Sequence, residues 1–314
     1  MNTQIQTIPR ARSTQLILTR GDLGLYAVTV FAWSTSWIAL KLQVGPVPVE
    51  VSVFWRFVIA AVCMLGWALA TGRATRVGWR DHLRFALLGA CLFSVNYYCF
   101  YHGGKHLASG LLAVIFSLAS VFNLLMGAAL IRERIDGRLA LAALMGCAGI
   151  ALMFWPEIVK TEFDRHALIG LAFGVAGTLC FCAGNMLSGS NQRRGLSVVS
   201  ANLWGMIYGA VFMGAIALLG ECDFHIDWAP AYVLSLLWLA IIASVIAFAS
   251  YLTLLGRIGA ARAGYATVMF PVIALAISTV VEGYEWTLAA LLGLIAVLAG
   301  NLIVLTGRRE ASRP

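Results

Sequence analysis

Charge is scarce in this chain. Only 11% of its 314 residues are Asp, Glu, Lys or Arg, against 61% hydrophobic, whereas a soluble domain averages about 25% charged residues. That shortage argues against an ordinary soluble protein. The net charge of +8 does not point to nucleic acid, because the basic residues are scattered between apolar runs instead of forming a patch. There is no GxxxxGK[ST] loop, so the chain has no phosphate cradle for ATP-driven work of its own. HExxH, paired aspartates deep in an apolar run and a deep Ser/His pair are all missing, which argues against an intramembrane enzyme. The seven cysteines make no CxxC and no Cys/His spacing suited to zinc. Six of them (Cys63, Cys91, Cys99, Cys147, Cys180 and Cys182) lie in apolar runs as small packing residues, and Cys222 falls in a polar loop. No cofactor or metal is implied.

What is abundant is apolar length. Runs of about 20 residues, enough to cross a hydrocarbon core of ~30 Å, recur along the chain. They predict an all-α integral membrane protein with ten spans near 22–42, 49–70, 83–102, 108–131, 138–156, 167–189, 198–219, 231–255, 261–282 and 287–307. Residues 1–21 read as a polar amino-terminal tail. The run after it is too long for a cleaved signal and is expected to be a retained first span. Residues 308–314 form the other tail. Pro46, Pro48, Pro156 and Pro230 are expected at span ends, where proline is tolerated.

The charges assign sides. One alternating set of segments carries both tails, Arg73, Arg76, Arg80, Arg84, Arg132, Arg134, Arg138, Arg193, Arg194, Arg257 and Arg262. The other has Lys41, Lys105, Lys160 and Arg165, and is otherwise acidic. Lys and Arg accumulate on cytoplasmic loops, so both termini are expected in the cytoplasm, with loop 157–166 on the opposite, periplasmic side.

The two halves also resemble each other. YYCFYHGGKHLASGLLAVIFSL (97–118) aligns with SYLTLLGRIGAARAGYATVMFP (250–271), pairing Tyr98 with Tyr251 and Ala113 with Ala266. Each half, 22–156 and 167–307, would hold five helices. Five is odd, so the second copy must insert the opposite way round. Inverted repeats of this kind are typical of secondary transporters, whose substrate site lies between the halves.

WSTSWIALK (33–41), WRF (55–57), LIRERI (130–135) and FPVIALAISTVVEGYEW (270–286), taken in order across ten spans, resemble the EamA family of the drug/metabolite transporter superfamily. Within it, the aromatic-rich face and EGYEW look most like the YddG-type amino acid exporters. The chain departs from the family pattern at Leu118-Ala119-Ser120, where a proline is common. The resemblance implies a multi-pass carrier of the bacterial inner membrane. It would export a small amphipathic metabolite by alternating access, amino acids first and aromatic or bulky apolar ones favoured. Carriers of drugs or of nucleotide sugars belong to the same superfamily, and a channel or a non-transporting scaffold is the reading outside transport. The expected partners are a small-molecule substrate and lipid, with no nucleic acid; the oligomeric state is open, a monomer included.

No Asp, Glu or Lys sits in the middle of a predicted span. Small multidrug exporters of the superfamily use a glutamate in their first helix, where this chain offers Thr29, Ser34, Thr35 and Ser36, so neutral or zwitterionic cargo fits better than lipophilic cations. Trp33, Ser36, Trp37 and Leu40 recur on one helical face. The candidate lining adds Asn96, Tyr97 and Tyr101 from span three, Ser120 and Asn123 from span four and Asn185 from span six. Ser244 and Tyr251 come from span eight and Tyr265 from span nine. Ser and Thr in spans more often bond backbone or a neighbouring helix than line a cavity, and Trp155, Trp228 and Trp286 read as interfacial anchors. Gly170-x-x-x-Gly174, Gly205-x-x-x-Gly209 and Gly146-x-x-Gly149 are expected as close-packing faces. Pro271 would bend span nine, either for a gate or for packing alone.

Arg56 lies five to seven residues into span two, roughly 8–10 Å deep at 1.5 Å per residue. One reading has it snorkel to the interface, anchored on Glu282 or on a helix C-terminal carbonyl. The other makes it a latch on the outer gate or a partner for a substrate carboxylate.

Overall fold

A computed structural model describes residues 19–45, 47–72, 77–131, 137–159, 165–258 and 266–306. Pro46, Tyr265, residues 1–18 and residues 307–314 lie outside them. Within them the chain is helical, with short connections. α1 (Arg20–Lys41) opens on a capping box: the Asp22 N–H donates to the Thr19 hydroxyl at 3.1 Å, and the Thr19 N–H donates to the Asp22 carboxylate at 3.1 Å. α2 (Val49–Ala70) starts directly after Pro48. α3 spans Trp79–Gly104, and α4 runs in two pieces, Ser109–Ser117 and Ala119–Ile131. α5 is Gly137–Val159 and α6 is Arg165–Arg193; α7 is Val198–Leu219. α8 covers residues 230–258, beginning with Pro230 in its first turn. α9 is Ala266–Val281 and α10 is Leu288–Thr306.

Seven of these ten helices are long and apolar enough to cross a bilayer. α5, α9 and α10 carry shorter apolar stretches, Ala140–Trp155, Val268–Val281 and Leu288–Ile303. The surface is that of a protein dissolved in lipid. Leu219 is 86% exposed, Val280 85% and Leu288 73%, while Arg56, Asn96 and Asn301 are at most 2% exposed. Trp155, Trp228 and Trp286 are all exposed.

The neighbour pattern carries the duplication. α1 packs on α8 and α9, as α6 packs on α3 and α4; α2 packs on α8 as α7 packs on α3. Adding five to each helix number maps one set onto the other. The pairs α2–α7, α4–α9 and α5–α10 map onto themselves and hold the halves together. Glycine permits these contacts. A Cβ on Gly149 would lie 2.6 Å from the Gly293 carbonyl oxygen, and one on Gly293 would lie 2.5 Å from that of Gly149, so α5 and α10 touch backbone to backbone. Gly205 and Gly209 let α7 meet Phe93 of α3, and Gly170 and Gly174 bring α6 against Leu107 and Ile115. All three expected glycine faces therefore pack closely, with Gly146 against Leu118.

Irregularities sit at equivalent places in the two halves. α3 widens to a π-helix over Cys91–Val95 and α8 over Trp238–Ile246. Such bulges often mark functional positions. α4 breaks at Leu118 although no proline is there. The Ser117 hydroxyl donates to the Val114 carbonyl at 2.7 Å and the Ser120 hydroxyl to that of Ser117 at 3.2 Å. Hydroxyls thus take up carbonyls at the interruption. Pro156 lies in the last turn of α5, near the span end where it is expected, and Pro271 lies inside α9, which runs through it as one helix.

Candidate functional site

A narrow hollow lies between the halves. α1 contributes Trp33, Ser36, Trp37 and Leu40, the i, i+3, i+4, i+7 face expected from the sequence. α2 adds Arg56, and α3 adds Asn96, Tyr97 and Phe100. Phe116 of α4, Phe181 of α6, Ala243 and Phe248 of α8 and Phe270 of α9 complete it. Trp37 is the hub of the aromatic wall. Its ring stacks on Phe270 at 6.5 Å between centroids, meets Phe100 edge-on at 5.2 Å and lies 5.6 Å from Phe116. Trp33 meets Phe248 at 5.7 Å and Phe270 at 6.3 Å.

Arg56 does not snorkel. Its side chain turns inward and is 2% exposed. Nε and Nη2 donate to the Ser244 hydroxyl at 3.3 and 3.2 Å, a contact from α2 of the first half to the π-helical turn of α8 in the second. That turn presents the serine: its hydroxyl in turn donates to the Leu239 carbonyl, five residues back, at 2.9 Å. The guanidinium carbon lies 4.1 Å from the centre of the Tyr97 ring and 5.5 Å from that of Phe57, a cation–π arrangement. Nη1 has no hydrogen-bond partner among the described residues.

Glu282 is not its partner. The Glu282 carboxylate accepts the Ser109 N–H at 3.2 and 3.0 Å, the Ser109 hydroxyl, and the Ser278 hydroxyl at 2.7 Å. It therefore caps the first turn of α4 from the end of α9, as carboxylates do at helix N-termini. Nearby, the Lys41 ammonium donates to the Gly104 and Leu107 carbonyls, the latter at 3.2 Å, closing the C-terminus of α3.

Seven of the sequence candidates share this wall: Trp33, Ser36, Trp37, Leu40, Arg56, Asn96 and Tyr97. The other lining candidates stand elsewhere. Tyr101 is fully buried, donates to Gln43 at 2.6 Å and lies against Arg56. Tyr251 packs behind Trp33 at 5.0 Å. Ser244 holds Arg56 from behind. Ser120 donates to Asn301 of α10, whose amide donates to Ser117 at 3.1 Å. The Asn185 amide reaches Asn123 at 3.5 Å, linking α6 to α4. Tyr265 lies outside the described residues. Phe100, Phe116, Phe181, Phe248 and Phe270 were missed, because phenylalanine in an apolar span carries no polar signal to single it out.

The chain matches the EamA-like transporter family twice, over residues 20–155 and 168–306. Among curated proteins it is 22% identical to an uncharacterized transporter, YoaV, of Bacillus subtilis, covering 88% of this chain and 94% of that one. It is 21% identical to a probable amino-acid metabolite efflux pump of Escherichia coli (93% and 97% covered). With a probable terminal-alkyne amino-acid exporter of Streptantibioticus cattleyicolor it shares 25% identity (91% and 95% covered). A crystal structure at 17% identity superposes with a TM-score of 0.63 over 90% of this chain and 95% of that one, a likeness of fold. Two matches to one family, over two halves whose helices pack as a duplication, settle the class: the chain belongs to the EamA-like transporter family, a multi-pass membrane transporter and not an enzyme.

Proposed function

We propose that this transporter exports small amphipathic metabolites, amino acids foremost and aromatic or bulky apolar ones preferred, by alternating access through the hollow between its halves. The observation that carries the reading is the composition of the wall: aromatic rings from both halves, a few fixed polar groups, one cation and no carboxylate. Apolar walls with few placed polar groups suit a small organic solute. The relatives named as amino-acid efflux pumps and as an amino-acid exporter support the same substrate class. A lone cation is poor provision for a nucleotide sugar, whose phosphates call for several, so the alternative cargo is a drug or another metabolite of single charge.

In this reading the protein sits in the bacterial inner membrane with tails 1–21 and 308–314 in the cytoplasm, and loop 157–166 joins the repeats on the periplasmic side. Pro271, lacking an N–H for the carbonyl four residues before it, is the proposed flexing point of α9. Glu282 and Lys41 tie helix ends together at the outer mouth.

The test is uptake into proteoliposomes with a panel of labelled amino acids, with and without a pH gradient. Saturable flux of aromatic and branched amino acids is expected. If no amino acid competes while lipophilic cations do, the substrate reading fails.

A further inference from the structure

Buried polar atoms in native proteins nearly always have a hydrogen-bond partner, and a guanidinium has five N–H groups to satisfy. Arg56 satisfies one edge. Nε and Nη2 share the Ser244 hydroxyl, the ring of Tyr97 covers a face, the Tyr101 hydroxyl lies close by, and Nη1 makes no hydrogen bond among the described residues. The same side chain lines the central hollow. No carboxylate stands in the lining, so the cation has no counter-ion there among the described residues. Leaving a buried charge unpaired is costly, and this one faces the path a substrate would take.

The geometry points to a carboxylate on the substrate as the missing partner of Arg56, with the substrate's apolar tail among Trp37, Phe100, Phe116 and Phe270. The free Nη1–Nη2 edge matches a carboxylate with two parallel N–H···O bonds. A single positive group suits a single negative charge. Nothing in the lining requires an ammonium: the aromatic faces accept one but equally accept a methylene. The recognised class is therefore monocarboxylates with a bulky apolar tail. Amino acids are one case, and their counterparts without the amino group are another. Amines and amides lacking the carboxylate are rejected, since a cation beside Arg56 meets like charge. This assignment rests on the hollow being the substrate path.

The experiment uses the purified full-length protein in proteoliposomes carrying labelled phenylalanine. The competitors are 3-phenylpropionate (carboxylate, no amine), phenethylamine (amine, no carboxylate) and phenylalaninamide. The expected result is competition by 3-phenylpropionate within roughly tenfold of unlabelled phenylalanine. Both carboxylate-free compounds should compete at least roughly 30-fold more weakly, as follows from removing one partner of a buried charge pair. Arg56→Gln should erase that gap and Arg56→Lys restore part of it. Should Arg56→Gln fail to fold, the competitor ranking on the unaltered protein still decides. Equal competition by phenethylamine, or an unchanged ranking in folded Arg56→Gln, overturns the assignment while leaving amino-acid transport standing. Quenching of tryptophan fluorescence by 3-phenylpropionate without any phenylalanine flux would do the reverse. It would uphold the carboxylate contact and sink the amino-acid reading.

Discussion

Trp37 and Tyr101 are both aromatic, both deep and both buried, yet they do different work. Trp37 forms the wall of the hollow and touches Phe100, Phe116 and Phe270. Tyr101 stands behind it, donating to Gln43. Trp37→Ala should therefore raise KM for aromatic amino acids by about tenfold, ~1.4 kcal/mol, with a smaller effect on leucine and a normal yield of folded protein. Tyr101→Phe should leave KM alone. It removes the donor to a buried amide oxygen, which costs about 1–3 kcal/mol, so the melting temperature of the purified protein should fall. Substrate kinetics and thermal melts on the two variants check the separation. A KM shift in Tyr101→Phe would return that tyrosine to the wall.

Helix pairs hold this molecule together through small residues, because lipid gives apolar side chains no reason to leave it for the protein interior. The α5–α10 pair is the clearest case. Gly149→Ala places a methyl 2.6 Å from the Gly293 carbonyl oxygen and 2.9 Å from the Val297 nitrogen. Both are backbone atoms, so the helices must part. A marked loss of thermal stability is expected, of the 1–3 kcal/mol order typical of overpacking. Gly66→Ala in α2, where nothing lies within 4 Å, should be neutral or slightly stabilising, since alanine favours helix over glycine. Melting of the two variants in detergent, followed by size-exclusion chromatography, tests this. Equal melting temperatures would mean that the α5–α10 contact is not close. The interruption of α4 teaches a related lesson: Ser117, Ser120 and Asn301 bridge a broken helix to α10, so a break does not need proline.

For the whole molecule, the proposed orientation puts the α7–α8 loop outside. Cys222, in that loop, is a native reporter for it. Burial, and then the nearby Glu50 carboxylate, push its thiol above the ordinary range, so less thiolate is present at neutral pH than for a free cysteine. An impermeant maleimide added to intact cells should label Cys222 slowly at neutral pH, and labelling should keep rising beyond the ordinary thiol value of about 8.5. Cys222→Ser should abolish the signal. Labelling only in inverted vesicles would reverse the assignment of both termini.

The sequence by itself determined the number of spans, the doubling of a five-helix unit and the lack of a mid-span carboxylate. Those follow from apolar length, charge placement and the odd helix count, which need no knowledge of neighbours. It also marked the α1 face, because two tryptophans and a serine at helical spacing stand out from aliphatic surroundings. Only the tertiary structure decided where Arg56 points, that Glu282 caps α4 instead, and that Ser120, Asn123 and Asn185 bond other helices. The physical reason is the solvent. A helix in water shows its buried face by its apolar stripe, but a span in lipid is apolar all round. Which side faces the cavity, a neighbour or a lipid tail is then set by small-residue contacts and hydrogen bonds to helices far away in the chain.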